Sequence, residues 1–147
     1  MNVYTTEQLR ASQIDEQIFK FLRCSAEVVS LVYDSKLDWK NFPLRYYADH
    51  HRLILCRRDQ EPVGVMLSRL FPSVLDPKIK ILYQDSLFVV PGTRAAKILM
   101  DDFLTFGKAN ADHLITCIGS QTRIKGASLQ KLGFTKLEEL YRFEVKR

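Results

Sequence analysis

The sequence has few of the features that mark an extracellular, fibrous or membrane-spanning chain. Its three cysteines, Cys24, Cys56 and Cys117, are an odd number spread over apolar stretches, which predicts buried, reduced thiols rather than disulfides. Six glycines and five prolines in 147 residues are too few for a collagen-like or linker-rich chain. No apolar run approaches the ~18 residues of a spanning helix, and residues 1–10 lack the pattern of a secretory signal. We therefore expect a single domain, 1–147, in the cytoplasm and away from the membrane.

Neither sign of charge is concentrated in one segment. The formal net charge is +5, from 22 Lys and Arg and 17 Asp and Glu. A positive balance favours encounter with anionic partners such as nucleotides, nucleic acid or acidic protein surfaces. The basic residues are scattered, so a solvated surface also explains the charge and nucleic acid is not the favoured partner. Because the adjacent His50 and His51 point to different sides, we expect no metal site.

The N-terminal third of the chain predicts helices. Apolar residues recur at three- and four-residue spacing from Ser12 to Tyr33, with charged residues between them. Ser12 is the expected N-cap, since acidic residues follow it in the first turn. A second, short helix is expected at Asn41–Ala48, and no element is predicted before Ser12.

The rest of the chain predicts strands alternating with helices. Two strands joined by the turn 58–61 form an antiparallel hairpin, and the third strand is long enough to bend or bulge part-way. The predicted strands are 53–57, 63–70, 78–90, 113–118 and 137–145, and the predicted helices are 93–110 and 122–132. A strand–helix–strand crossover follows the hairpin. This order predicts an α/β (α+β) fold, with a mixed, mostly antiparallel central sheet flanked by helices.

The junction after Val90 carries the clearest chemical signal. A buried strand ends there and a helix follows, and the first turn of a helix presents unpaired N–H groups and a partial positive charge. Small residues, Gly92, Ala95 and Ala96, leave those donors open, while Arg94 and Lys97 add two cations. The pattern predicts an anion site suited to a pyrophosphate. Close packing of the helix on the sheet is the alternative explanation of the small residues.

The same segment resembles the acyl-CoA-binding motif of the GCN5-related N-acetyltransferase (GNAT) superfamily. There a strand ending in Leu-Phe-Val-x-Pro-x-x-Arg runs into a glycine-rich loop and a helix. The matching residues are Leu87, Phe88, Val89, Pro91 and Arg94. Residues 125–134, KGASLQKLGF, resemble the later helix of the family, which ends in Lys-x-Gly-Phe. The resemblance extends over nearly the whole chain, and the brevity of the chain is typical of compact phage and bacterial members.

The resemblance implies transfer of an acetyl group from acetyl-CoA to an amine on an unidentified protein or small molecule. The strand before the loop would supply a main-chain donor near the thioester and sheet-like bonds to pantetheine. Asp85 is the implied catalytic base, although marking a bulge or pairing with an arginine explains this residue as well. Tyr141 is the implied acid. The implied acetyl-CoA-binding residues are Phe88, Val89, Val90, Gly92, Thr93, Arg94, Ala95, Ala96 and Lys97.

Two departures from the family pattern leave a second function open. The glycine-rich loop is not intact, and aligning the helix from its downstream end implies a shortened loop. Leu129 stands where many members have a tyrosine that protonates the departing thiolate. The alternative is a catalytically degenerate GNAT-fold protein that acts through contact with a protein or nucleic acid. A homodimer is compatible with either function, and the positive charge favours an acidic acceptor over a polyamine.

Overall fold

The structure is a computed structural model and describes residues 1–23, 51–116 and 126–137. Within these residues the strands form a single mixed sheet. The order in this five-stranded sheet is β1-β2-β3-β4-β5. Neighbouring strands from β1 to β4 pair antiparallel, and β4 pairs parallel with β5, so the predicted mixed, mostly antiparallel sheet is confirmed. The strands are β1 (Tyr4–Gln8), β2 (Arg52–Arg58), β3 (Glu61–Pro72), β4 (Lys80–Val89) and β5 (His113–Ile115).

Helices lie on both sides of this sheet. They are α1, helical over 16–23, α2 (Ala95–Asn110) and α3 (Gly126–Lys131). The chain passes from β4 through α2 to β5, which is the predicted strand–helix–strand crossover. Several predictions lie outside the described residues: the helix at 41–48, the strand at 137–145, the acid role of Tyr141, and the state of Cys24 and Cys117.

The chain begins with a strand that the sequence did not predict. Four of the five side chains of β1 are exposed, so no apolar alternation marks it. Main-chain pairing with β2 holds it instead, with Tyr4 opposite Arg58 and Gln8 opposite Ile54. The predicted element order, which starts with a helix, is therefore wrong at its first element.

The predicted N-cap at Ser12 is also wrong. Ser12 lies in a short 3-10 turn, Ala11–Gln13, and helical residues begin at 16. The cap is Asp15, whose Oδ1 accepts the Ile18 N–H at 2.9 Å and so satisfies one of the unpaired donors of the first turn. Asp15 was expected in the first turn of the helix and is instead its N-cap.

The predicted hairpin between β2 and β3 is confirmed. Its two turn residues, Asp59 and Gln60, both have positive φ, 49° and 71°. Two positive φ angles give the tight turn whose twist matches that of the flanking strands. The Asp59 carboxylate also accepts the Val3 N–H at 2.9 Å, which fixes the start of the chain beside the turn.

The core is divided by the sheet into two clusters. One lies between the sheet and α2 and includes the predicted inner face of α2, where Ala95, Leu99 and Phe103 have no exposed surface. The other lies on the opposite face and packs α1 against β2 and β3 through Leu9, Ile18, Leu22, Leu53, Leu55 and Val65. The sheet is thus covered on both faces.

Candidate functional site

The site begins where β4 leaves the sheet. The Val90 N–H donates to the Val63 carbonyl at 2.8 Å, the last bond that this segment makes to β3. The chain then turns through Gly92, whose φ is +77°, and α2 starts at Ala95. A side chain at Gly92 would have no heavy atom within 4 Å of its Cβ, so the space over the turn is open. The predicted strand end and helix start are confirmed here.

Two main-chain donors at the start of α2 are already used by the protein. The Arg94 N–H donates to the Tyr4 hydroxyl at 3.2 Å, a contact made by the unpredicted strand β1. The Thr93 hydroxyl donates to the Val90 carbonyl at 2.7 Å and accepts the Ala95 N–H at 3.4 Å. These bonds fix the turn and place Arg94 at the N-cap of α2.

The next two donors of α2 remain available. The first bond within the helix runs from the Ile98 N–H to the Arg94 carbonyl at 3.1 Å. Within the described residues, no acceptor takes the N–H groups of Ala96 and Lys97, as expected for the first turn of a helix. That turn contains no acidic residue, and the side chains of Arg94 and Lys97 are exposed beside it. Free donors, the helix dipole and two cations together make an anion-binding geometry.

Close packing accounts for part of the small-residue pattern. A Cβ at Gly64 would lie 2.9 Å from the Ala95 Cβ and 2.9 Å from Leu99 Cδ1, so β3 and α2 are in direct contact there. Ala95 is fully buried, which confirms the packing interpretation for this residue. Ala96 is half-buried and lies on the side of the free donors. The same short contact therefore holds the start of α2 rigidly at the end of the sheet.

The outer edge of β4 runs toward the same place. Parallel pairing with β5 extends only over Ile81–Tyr83, and no strand among the described residues pairs with this edge further along. Because Val90 bonds to β3 and the direction alternates along a strand, the Phe88 N–H also points to β3. The main-chain groups of Leu87 and Val89 point outward instead.

Because of this alternation, the residues that the resemblance implied as binding residues differ in the direction of their main-chain groups. Val89 presents its main chain to the outer edge of β4, and Leu87, which the sequence did not single out as a binding residue, does so too. The signal was present in the sequence as the two-residue period of the strand. The Phe88 side chain lies on the face of the sheet that packs against α1, where its ring meets that of Phe21 edge-on at a centroid distance of 5.6 Å.

Asp85 marks an irregularity in β4. Leu67 lies opposite Ser86 and Ser68 lies opposite Gln84, which leaves Asp85 as an extra residue on β4. The predicted bulge is therefore present, two residues after Tyr83, the last residue of β4 that pairs with β5 among the described residues. Both oxygens of Asp85 contact Arg69 Nε, at 3.0 and 2.9 Å. The alternative role given to Asp85, marking a bulge and pairing with an arginine, is confirmed, and its role as a base remains a proposal.

His51 belongs to the same group of side chains. Its Nε2 lies 3.9 Å from Asp85 Oδ2, and its side chain is 10% exposed. No sequence pattern pairs His51 with Asp85, because the contact depends on β2, β3 and the bulge of β4 together. Within 1–23, 51–116 and 126–137, no group of three or more His, Cys, Asp or Glu residues is arranged to hold a metal ion.

Leu129 and Cys56 belong to the core. Leu129, at the position of the family tyrosine, is 7% exposed and packs under α2. Its carbonyl accepts the Phe134 N–H at 3.0 Å, and Gly133 closes α3 with a φ of +98°, as predicted. Burial raises the pKa of the Cys56 thiol, which marks it as an inert core residue. None of the described helices is long and apolar enough to cross a membrane.

Comparison with solved structures identifies the fold. AAC(6')-Iy in complex with the bisubstrate analogue CoA-S-monomethyl-acetylneamine matches with a TM-score of 0.67 and 13% identity, covering 99% of both chains. A ribosomal-protein-alanine N-acetyltransferase from Brucella melitensis biovar Abortus 2308 matches with a TM-score of 0.60 and 11% identity, covering 98% of this chain and 99% of that one. A transcriptional regulator from Bacillus halodurans C-125 matches with a TM-score of 0.71 and 13% identity, covering 97% and 100%.

The sequence itself is distant from known relatives. No protein-family model and no curated protein matches it. The likeness is therefore one of architecture, spread over nearly the whole of each chain compared. The resemblance found in the sequence is confirmed at this level: the chain has the fold of the GCN5-related N-acetyltransferases.

Proposed function

We propose that the chain is an acetyl-CoA-dependent N-acetyltransferase and a compact member of the GNAT superfamily. The observation that carries this proposal is the junction of β4 and α2. There, among the residues that the structure describes, an edge of β4 without a partner strand leads directly to a helix start whose N–H groups at Ala96 and Lys97 have no acceptor. An extended thiol arm matches the strand edge, and the diphosphate at the end of that arm matches the helix start. AAC(6')-Iy, which shares the fold, was solved with a CoA-based bisubstrate analogue.

Each part of acetyl-CoA has a partner in this geometry. The diphosphate accepts hydrogen bonds from the Ala96 and Lys97 N–H groups, and Arg94 and Lys97 supply the compensating charge. The pantetheine arm pairs with the outward main-chain groups of Leu87 and Val89, as an added strand would. This arrangement directs the thioester along β4 toward the bulge at Asp85.

The reaction then needs two proton transfers. An acceptor amine in the ammonium form loses one proton, for which Asp85 is the proposed base. The amine nitrogen bonds to the carbonyl carbon, the C–S bond breaks, and its electron pair goes to sulfur. As the amide forms, the nitrogen releases its second proton to water. The thiolate takes up one proton from a donor, which water then reprotonates. Tyr141 is the proposed donor of that proton, because Leu129 is an apolar core residue.

Isotope transfer tests this function directly. The purified chain is incubated with acetyl-CoA carrying a labelled acetyl group and a panel of primary amines, and labelled amides and free CoA are measured together. We expect label in at least one amine at a rate well above the reaction without protein. Binding of acetyl-CoA with no transfer to any amine would contradict the enzymatic function and support the binding protein of the same fold.

A further inference from the structure

The face of the sheet opposite α2 carries a compact group of charged and aromatic side chains at the bulge of β4. Arg69 Nε contacts both oxygens of Asp85, at 3.0 and 2.9 Å, and His51 Nε2 lies 3.9 Å from Asp85 Oδ2. The guanidinium carbon of Arg69 lies 5.3 Å from the ring centre of Phe71 and 5.3 Å from that of Tyr83. Arg69 is thus fixed by one ion pair and two rings.

Among the residues 1–23, 51–116 and 126–137, only Asp85 takes a hydrogen bond from Arg69. A guanidinium has five N–H donors, and only the one on Nε is taken by Asp85. Within the part of the chain that the structure describes, no acceptor meets the two Nη groups, and the side chain is 45% exposed. A fixed guanidinium whose Nη groups have no acceptor among the described residues is suited to binding a carboxylate through paired hydrogen bonds.

We propose that Arg69 binds a carboxylate of the acetyl acceptor while the acceptor amine lies at Asp85. This inference rests on the proposed acetyltransferase function and names its substrate class, a small amine that carries a free carboxylate. One guanidinium contacts Asp85 through Nε and offers Nη to the ligand, so the amine and carboxylate must lie within a few atoms of each other. That separation is the one found in amino acids.

The charges of this group disfavour a polycationic acceptor. The Asp85 carboxylate is already compensated by Arg69, so a second cationic group of the acceptor would meet the guanidinium and be repelled by it. A carboxylate placed at Nη reverses this interaction. The formal net charge of +5 acts in the same direction at longer range.

Matched acceptor pairs test the inference. Amino acids are compared with the amines that lack only the carboxylate, for example lysine with cadaverine and tyrosine with tyramine, together with phosphoethanolamine and spermidine. Two quantities are measured, the shift of the melting temperature with each compound and kcat/KM for release of CoA. We expect saturable stabilisation and at least tenfold higher kcat/KM for carboxylate-bearing members.

Variants separate the role of Arg69 from general charge. R69Q should abolish the preference for the carboxylate, so that kcat/KM and the shift of the melting temperature become equal within each matched pair. R69K should restore part of the preference. The matched control is R57Q, because Arg57 Nε makes the same contact with a carboxylate, Glu7 Oε1 at 2.9 Å, on a distant part of the sheet. This control should keep the preference of the unaltered chain.

The outcomes for the two proposals are distinct. Equal stabilisation and turnover within the matched pairs, or a preference for spermidine or phosphoethanolamine, would overturn the carboxylate site and leave the transferase function standing. The absence of stabilisation by any carboxylate-bearing amine would overturn it as well. A different outcome is that these amines stabilise the chain but it releases no CoA, with the stabilisation lost in R69Q. That result would support the carboxylate site and contradict the transferase function.

Discussion

At the scale of single residues, Asp85 has an observed structural role, as the partner of Arg69, and a proposed chemical role, as the base. Its carboxylate is held by Arg69 and lies 3.9 Å from His51 Nε2, and Asp85 is the extra residue at the bulge of β4. The ion pair is 45% and 24% exposed on its two sides, so it contributes little to the stability of the fold. A carboxylate that is fixed in place at the bulge of β4 is instead suited to contact a substrate.

Replacing Asp85 by asparagine keeps its size and removes its charge. We expect the D85N variant to lose a factor of roughly 10² to 10⁴ in kcat, the usual contribution of a proton acceptor. The dissociation constant of acetyl-CoA should stay within about twofold, since the diphosphate binds at the other end of β4. Steady-state kinetics and calorimetric titration measure the two quantities.

The control for this variant is D76N, at the exposed tip of the β3–β4 hairpin, where the Asp76 carboxylate accepts the Lys78 N–H at 3.0 Å. It should match the unaltered chain in both measurements. A D85N variant with unchanged kcat would show that Asp85 takes no part in proton transfer and serves only to pair with Arg69.

At the scale of elements, the position of α2 decides the geometry of the site. Its first turn is fixed on one side by the contact of Ala95 and Leu99 with Gly64 and on the other by the Tyr4 hydroxyl. Further along, Arg52 Nη1 lies 2.6 Å from Asp102 Oδ2, which ties the middle of the helix to β2. The free N–H groups are therefore held at a set distance from the open edge of β4.

An alanine at Gly64 should displace the start of α2. Its Cβ would meet the Ala95 Cβ and Leu99 Cδ1 at 2.9 Å, below normal contact, and overpacking of this kind costs about 1–3 kcal/mol. Chemical denaturation of the G64A variant should show that loss, and titration should show weaker binding of acetyl-CoA. G126A makes the same chemical change at the exposed start of α3 and should leave binding unaltered. Full stability of G64A would contradict the proposed contact between β3 and α2.

A charge reversal at the N-cap should separate binding from stability. In the R94E variant the acidic side chain favours the positive end of the helix dipole, so the free energy of unfolding should be unchanged or raised by about 0.3–1 kcal/mol. The same carboxylate should repel the diphosphate and weaken binding of acetyl-CoA at least tenfold.

The opposite end of α2 provides the control for R94E. K108E reverses one exposed charge in the last turn, so it should lower the stability slightly and leave the affinity for acetyl-CoA intact. Equal affinities in R94E and the unaltered chain would place the diphosphate elsewhere.

At the scale of the whole molecule, the sequence predicts best where a pattern is local. The periodicity of α2, the hairpin turn at Asp59 and Gln60, and the strand end after Val89 are all visible in short windows, and the structure contains them. The strand β1 was missed because its side chains are exposed and only its main chain pairs. As a consequence, the bond from Arg94 to Tyr4 was missed too.

The candidate site was predicted only in part for the same physical reason. The anion-binding end depends on consecutive residues around Arg94, and it could be read from the sequence. The proposed acceptor end depends on Arg69 of β3, Asp85 of β4 and His51, the residue before β2, which meet because a bulge changes the register of β4. Such cross-strand contacts leave no periodic signal in one sequence.

The central claim is that the junction of β4 and α2 binds the diphosphate of acetyl-CoA, and calorimetric titration with matched ligands tests it most directly. Acetyl-CoA and acetylpantetheine carry the same thioester arm, but only acetyl-CoA carries the diphosphate. The account predicts one saturable site for acetyl-CoA per chain and binding of acetylpantetheine at least a hundredfold weaker, about 2.7 kcal/mol. Equal affinity for the two ligands, or no binding of acetyl-CoA at millimolar concentration, would contradict it.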